Sequence, residues 1–146
     1  MSVENVELVM GLPGFARDFD LAAALRDADS RAKWVESRAP FFHKDCEMVF
    51  TGLIGGGETH TGVDGAVAAW SNWLAAWATY RVTLVEAIDC GDQVVVCYEV
   101  LARPKGSTGE VKLNGADVWT VRDGKIARWE AYPSRRAALK AVGLEE

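Results

Sequence analysis

Asp117 is the residue in this sequence whose surroundings most invite chemistry. It interrupts Leu113-Asn114-Gly115-Ala116-Asp117-Val118-Trp119, a stretch otherwise made mostly of apolar or small residues. A carboxyl group facing an apolar cavity prefers its neutral form, so its pKa rises and it can donate or exchange a proton near neutrality. Strand residues alternate between faces, which groups Asp117 with Leu113, Gly115, Trp119 and Val121. The apolar members mark that set as the inward one, with Trp119 a wall of the same cavity. The competing reading, in which Asp117 points to solvent, reverses both assignments.

Acid/base pairs work best when their environments push two pKa values apart, so a second carboxylate is sought. Glu47 is the candidate, sharing strand parity with Thr51; a solvated strand-end charge is the weightier reading of it. Tyr98 and Glu99 are adjacent on a strand, so one of them faces inward. Trp70, Trp73 and Trp77 crowd one face of a helical stretch, where core packing is the stronger reading for Trp77. Arg135 and Arg136 follow the last strand, as surface charges or as groups meeting an anionic substrate. The two histidines, His43 and His60, fall in no zinc-binding pattern, and no metal or cofactor is expected.

The elements that must position these residues follow from periodicity. A short helix is predicted over Val3 to Met10, and a long one from Asp18 to Ala39, with Asp20 as N-cap and Pro40 as stop. Cys46 to Thr51 reads as a strand, and Gly52 to Gly57 as a flexible loop at a pocket mouth. A helix is expected over Gly65 to Trp77, then strands over Tyr80 to Ile88, Gln93 to Arg103, Glu110 to Val121 and Lys125 to Tyr132. Turn residues at each junction make successive strands antiparallel, and Ser134 to Val142 closes the chain as a short helix ended by Gly143. Helices first and a strand meander afterwards define an α+β fold, with one domain spanning residues 1–146.

Bulk properties narrow the function classes. Apolar residues at 49% and charged residues at 25% suit a folded core rather than a disordered chain. A net charge of -5, with no basic stripe, argues against a nucleic-acid partner. No apolar run approaches the roughly 20 residues that span a bilayer. The N-terminus lacks the pattern of a secretory signal, and Cys46, Cys90 and Cys97 read as reduced thiols, so a cytoplasmic location is expected.

His43-Lys44-Asp45-Cys46-Glu47, Thr61-Gly62-Val63-Asp64-Gly65 and, above all, Val118-Trp119-Thr120-Val121-Arg122-Asp123-Gly124-Lys125-Ile126 resemble SnoaL-like members of the nuclear transport factor 2 superfamily. The resemblance runs from Asp18 onward. It implies a cone-shaped, curved antiparallel sheet wrapped around N-terminal helices, a cavity at its wide end, and a homodimer. Relatives include ketosteroid isomerase, polyketide cyclases, dehydratases and noncatalytic binding modules, so the fold does not assign the chemistry.

Carried over residue by residue, the resemblance places Asp117 where the isomerase has its protonated acid. Trp129, Ala131 and Pro133 fall at its pocket-lining positions, and Trp70 at an aromatic near its pocket. Thr51 stands in place of the isomerase's general base, and the helix tyrosine is missing, which disfavours ketosteroid isomerisation. His43 and Asp45 resemble a turn that closes the second helix. The implied function is a cofactor-independent acid/base enzyme of isomerase, cyclase or dehydratase type on a small, apolar, even polycyclic carbonyl compound. The alternative is a noncatalytic binding module or dimeric scaffold. A void of roughly 300 Å³ or more would speak against the scaffold.

Overall fold

The computed structural model describes residues 3–12, 19–50 and 59–144. Its centre is a curved six-stranded sheet in the order β2-β1-β6-β5-β4-β3. The strands are β1 (Phe42–Phe50), β2 (Thr59–Thr61), β3 (Trp77–Cys90), β4 (Gln93–Pro104), β5 (Val111–Arg122) and β6 (Lys125–Tyr132). From β3 to β6 each strand pairs antiparallel with the next, as the turn residues required. Asp123 and Gly124 both carry positive φ, 54° and 76°, the geometry that lets a two-residue hairpin loop match strand twist. The edge differs from a purely antiparallel sheet, because β1 runs parallel to β6.

Of the four register shifts in the sheet among the described residues, two bear on which side chains face the interior. The β3–β4 register shifts between Leu84 and Glu86, and the β5–β6 register shifts around Ala127. An extra residue in one strand bends it and moves the residues beyond it to the other face. Ile126 and Trp129 consequently both face the interior, although simple alternation would separate them.

Helices α1 (Val3–Met10), α2 (Leu21–Ala24), α3 (Ala28–Arg38) and α4 (Gly62–Leu74) pack on the concave face, and α5 (Arg135–Ala141) on the convex one. Beneath α5, Ala138 and Leu139 bury Val95, Cys97, Ala116 and Val118. That second cover explains the unbroken apolar run Val94-Val95-Val96-Cys97, since a strand buried on both sides loses its polar alternation.

Several expected boundaries change. The helix predicted from Asp18 to Ala39 is two helices, broken at Leu25–Asp27. Asp20 caps α2 by accepting from the Ala22 and Ala23 amides, and Asp27 caps α3 by accepting from Ser30. Two local caps outcompete one continuous helix. Asp20 also accepts from the Tyr80 amide at 2.9 Å, tying α2 to β3. His43 and Asp45 lie inside β1 rather than in a turn, and Trp77 opens β3 rather than ending α4. The loop expected at 52–57 lies outside the described residues.

Candidate functional site

Between the concave face and the helices lies a cavity of about 90 Å³. Helices α2 and α3 contribute Leu21, Leu25, Trp34 and Arg38, and α4 contributes Val63, Val67 and Trp70. The sheet supplies Met48, Tyr80, Tyr98, Asp117, Trp119 and Trp129. Each sheet residue reaches the cavity through the strand pattern: Asp117 and Trp119 share one face of β5, and Tyr98 on β4 stands opposite Gly115 in register.

Asp117 is 5% exposed, and its Oδ1 has no hydrogen-bond partner among the described residues. Burial lifts its pKa from 3.8 to about 7, while hydrogen bonding from the Trp129 indole and the Tyr98 phenol pulls the other way. Desolvation wins because two neutral donors do not replace the water a carboxylate loses. The result is an acid half-protonated near neutrality, against aromatic walls.

Those walls form a continuous chain of rings. Trp129 lies 6.1 Å from Trp119 and 5.9 Å from Trp70, and Trp70 lies 6.2 Å from Tyr80, mostly in edge-on or tilted arrangements. Such geometries set the positive edge of one ring against the negative face of the next. Burial pushes the Tyr80 and Tyr98 phenols up, so both are hydrogen-bond donors throughout the neutral range.

The other candidates fall elsewhere. Glu47 does not line the cavity: on β1 it is Met48 that faces inward, and Glu47 pairs loosely with Arg128 at 3.7 Å, about half exposed. The parity expected for that strand is inverted, because its buried set is Cys46 and Met48. Trp73 meets Trp77 in a tilted contact at 5.7 Å, outside the cavity lining. Thr51 lies outside the described residues. Arg135 binds Glu86 on the convex side at 2.9 Å. Among the described residues no group of three His, Cys, Asp or Glu side chains is placed to hold a metal.

Sequence reasoning missed Tyr80, Met48 and Arg38. A single long helix puts Val35 and Ala39 on the inward stripe; in the structure Ala39 is exposed, Val35 stays packed on the core, and Trp34 and Arg38 line the cavity. Their i, i+4 spacing was the available signal.

The sequence profile of the SnoaL-like domain matches residues 16–129. This chain belongs to the SnoaL-like family. Its fold is shared with TerC, co-crystallised with polyporic acid, at 24% identity over 95% of this chain and 98% of that one, with a TM-score of 0.65. A nuclear transport factor 2-like protein of unknown function from Burkholderia pseudomallei matches at 16% identity over 98% and 99%, with a TM-score of 0.66. A protein of ketosteroid isomerase-like fold from Catenulispora acidiphila, in complex with trimethylamine, matches at 22% over 84% and 88%, with a TM-score of 0.58. No curated protein matches the sequence. Identities this low carry the fold and not the reaction.

Proposed function

We propose that this SnoaL-like protein is a cofactor-independent acid/base enzyme, of isomerase, cyclase or dehydratase type, acting on a small carbonyl compound. The observation behind this reading is Asp117: a buried carboxyl group with an orphan oxygen and a pKa of about 7, inside an apolar cavity. In its neutral form Asp117 donates to the substrate's carbonyl oxygen as negative charge develops there. Tyr98 holds the carboxyl group, and Trp119, Trp129 and Trp70 exclude water and wall the substrate. Donors aimed at a developing oxyanion are worth roughly 3 kcal/mol each in a dry site. That two ligand-bound neighbours carry polyporic acid and trimethylamine supports a small-molecule pocket here.

The cavity volume sets the size class. At about 90 Å³ it falls below the roughly 300 Å³ of pockets for drug-sized ligands, which favours a substrate of one ring at most over a polycyclic one.

Titration of the Asp117 carboxyl carbon by NMR, with Asp117→Asn to assign the signal, tests the proposal. A midpoint near 7 is expected; one near 4 overturns it. The same chain acting as a noncatalytic binding module is the second reading, favoured by the placement of Glu47 outside the cavity, which leaves Asp117 without a second carboxylate there among the described residues. We take the whole chain as one cytoplasmic domain that pairs as a homodimer through the convex face beside α5, where Val85 and Leu101 are exposed. Sedimentation equilibrium of Leu101→Glu against the wild type tests that pairing.

A further inference from the structure

We propose that Arg38 is the anchor of an anion subsite in this cavity, so that the ligand is a small unsaturated or aromatic molecule bearing a carboxylate or enolate oxygen. This rests on the reading of the cavity as a ligand site and adds the substrate's charge to it.

Arg38 ends α3 and lines the cavity, only 9% exposed. Its guanidinium lies 4.6 Å from the Trp34 ring centre and 5.1 Å from that of Phe42. Among the described residues it has neither a carboxylate partner nor a hydrogen-bond acceptor. Cys46, which interacts with it electrostatically, supplies no charge at neutral pH, because burial pushes that thiol up. A buried guanidinium without a counter-charge is costly and rare. The flanking rings offset part of that cost by cation–π attraction, but they satisfy none of its N–H donors. The group nevertheless stays charged, since even after burial its pKa remains near 10.

The geometry leaves one use for those donors. Arginine's planar fork matches a carboxylate with two parallel hydrogen bonds. Asp117 is not that carboxylate: its hydrogen bonds come from Trp129 and Tyr98, and no ion pair joins it to Arg38 among the described residues. The cavity therefore presents a cation and a proton donor as separate groups, as a ligand with one anionic and one carbonyl oxygen requires.

The test follows the indole N–H NMR signals during titration with crotonate and benzoate, with crotonamide and benzamide as neutral controls. At pH 6, where Asp117 is mostly protonated and both ligands are still carboxylates, the wild type is expected to bind the carboxylates at least roughly tenfold more tightly than the amides, the worth of a charged hydrogen bond. Arg38→Met keeps the length of the side chain and removes the buried charge. It is expected to retain or raise the melting temperature while abolishing the preference for carboxylates, and Arg38→Lys to restore part of it. Equal binding of carboxylates and amides by the wild type, or an unchanged preference in Arg38→Met, overturns the subsite. Asp117→Asn is expected to keep the preference. An ordinary Asp117 titration alongside an Arg38-dependent preference would sink the acid mechanism and leave this subsite standing; the converse would sink the subsite alone.

Discussion

The Tyr98 hydroxyl rests directly over Gly115: a β-carbon there would stand 2.6 Å from the hydroxyl oxygen and 2.8 Å from the ring carbon bearing it. The two residues are register partners on β4 and β5, and Asp117 follows Gly115 on the same face. The missing side chain is what allows the phenol to fold across the strand toward the carboxyl group. Glycine inside a strand weakens it, so its presence here is explained by this close approach.

Gly115→Ala is accordingly expected to displace the phenol and to overpack the core, at a cost of about 1–3 kcal/mol in urea unfolding. The Asp117 midpoint should also rise, because Tyr98 hydrogen bonding lowers it. Tyr98→Phe should raise the midpoint with less loss of stability. An unchanged midpoint in both variants would show that the phenol does not hold the carboxyl group.

Asp117 itself gives stability a pH dependence of definite sign. Its pKa is raised from 3.8 to about 7 on folding, so the folded state binds the proton more tightly. The group carries no penalty below about pH 4, a growing one as pH rises toward 7, and a constant one above. The ceiling of that penalty is about 4 kcal/mol, from roughly 1.4 kcal/mol per pKa unit. Asp117→Asn should gain stability over the wild type progressively between pH 4 and 7 and hold the gain at pH 8.5. A difference in urea midpoint that is the same at every pH would contradict this.

Trp129 has separable roles in packing and in hydrogen bonding. Trp129→Ala empties a site 3% exposed at the junction of the Trp119 and Trp70 rings, and should cost about 3–5 kcal/mol. Trp129→Phe retains most of the ring area but removes the indole N–H, and should move the Asp117 midpoint upward with a smaller loss. Carboxyl-carbon titration of both variants separates the two contributions.

Glu47→Gln should be close to silent. The pair with Arg128 is long and half exposed, and such pairs contribute roughly 0–1 kcal/mol. Thermal unfolding within a degree or two of the wild type and an unaltered Asp117 titration are expected; a large effect on either would return Glu47 to the site.

The strand meander, its hairpin turns and the peculiarity of Asp117 were legible without coordinates, because period-2 patterning and turn chemistry are local properties. The Asp123-Gly124 turn and the grouping of Asp117 with Trp119 needed nothing beyond their neighbours. Tertiary structure decided everything that depends on a change of phase. The caps at Asp20 and Asp27 split one periodic stretch into two helices, the second of which carries Arg38 in the cavity lining. A bulge at Ala127 turned Ile126 and Trp129 to the same side, and the parallel pairing of β1 with β6 set Met48 rather than Glu47 beside Trp129. A one-residue shift of phase reverses the face of every side chain beyond it, and the contacts that select it are distant in sequence.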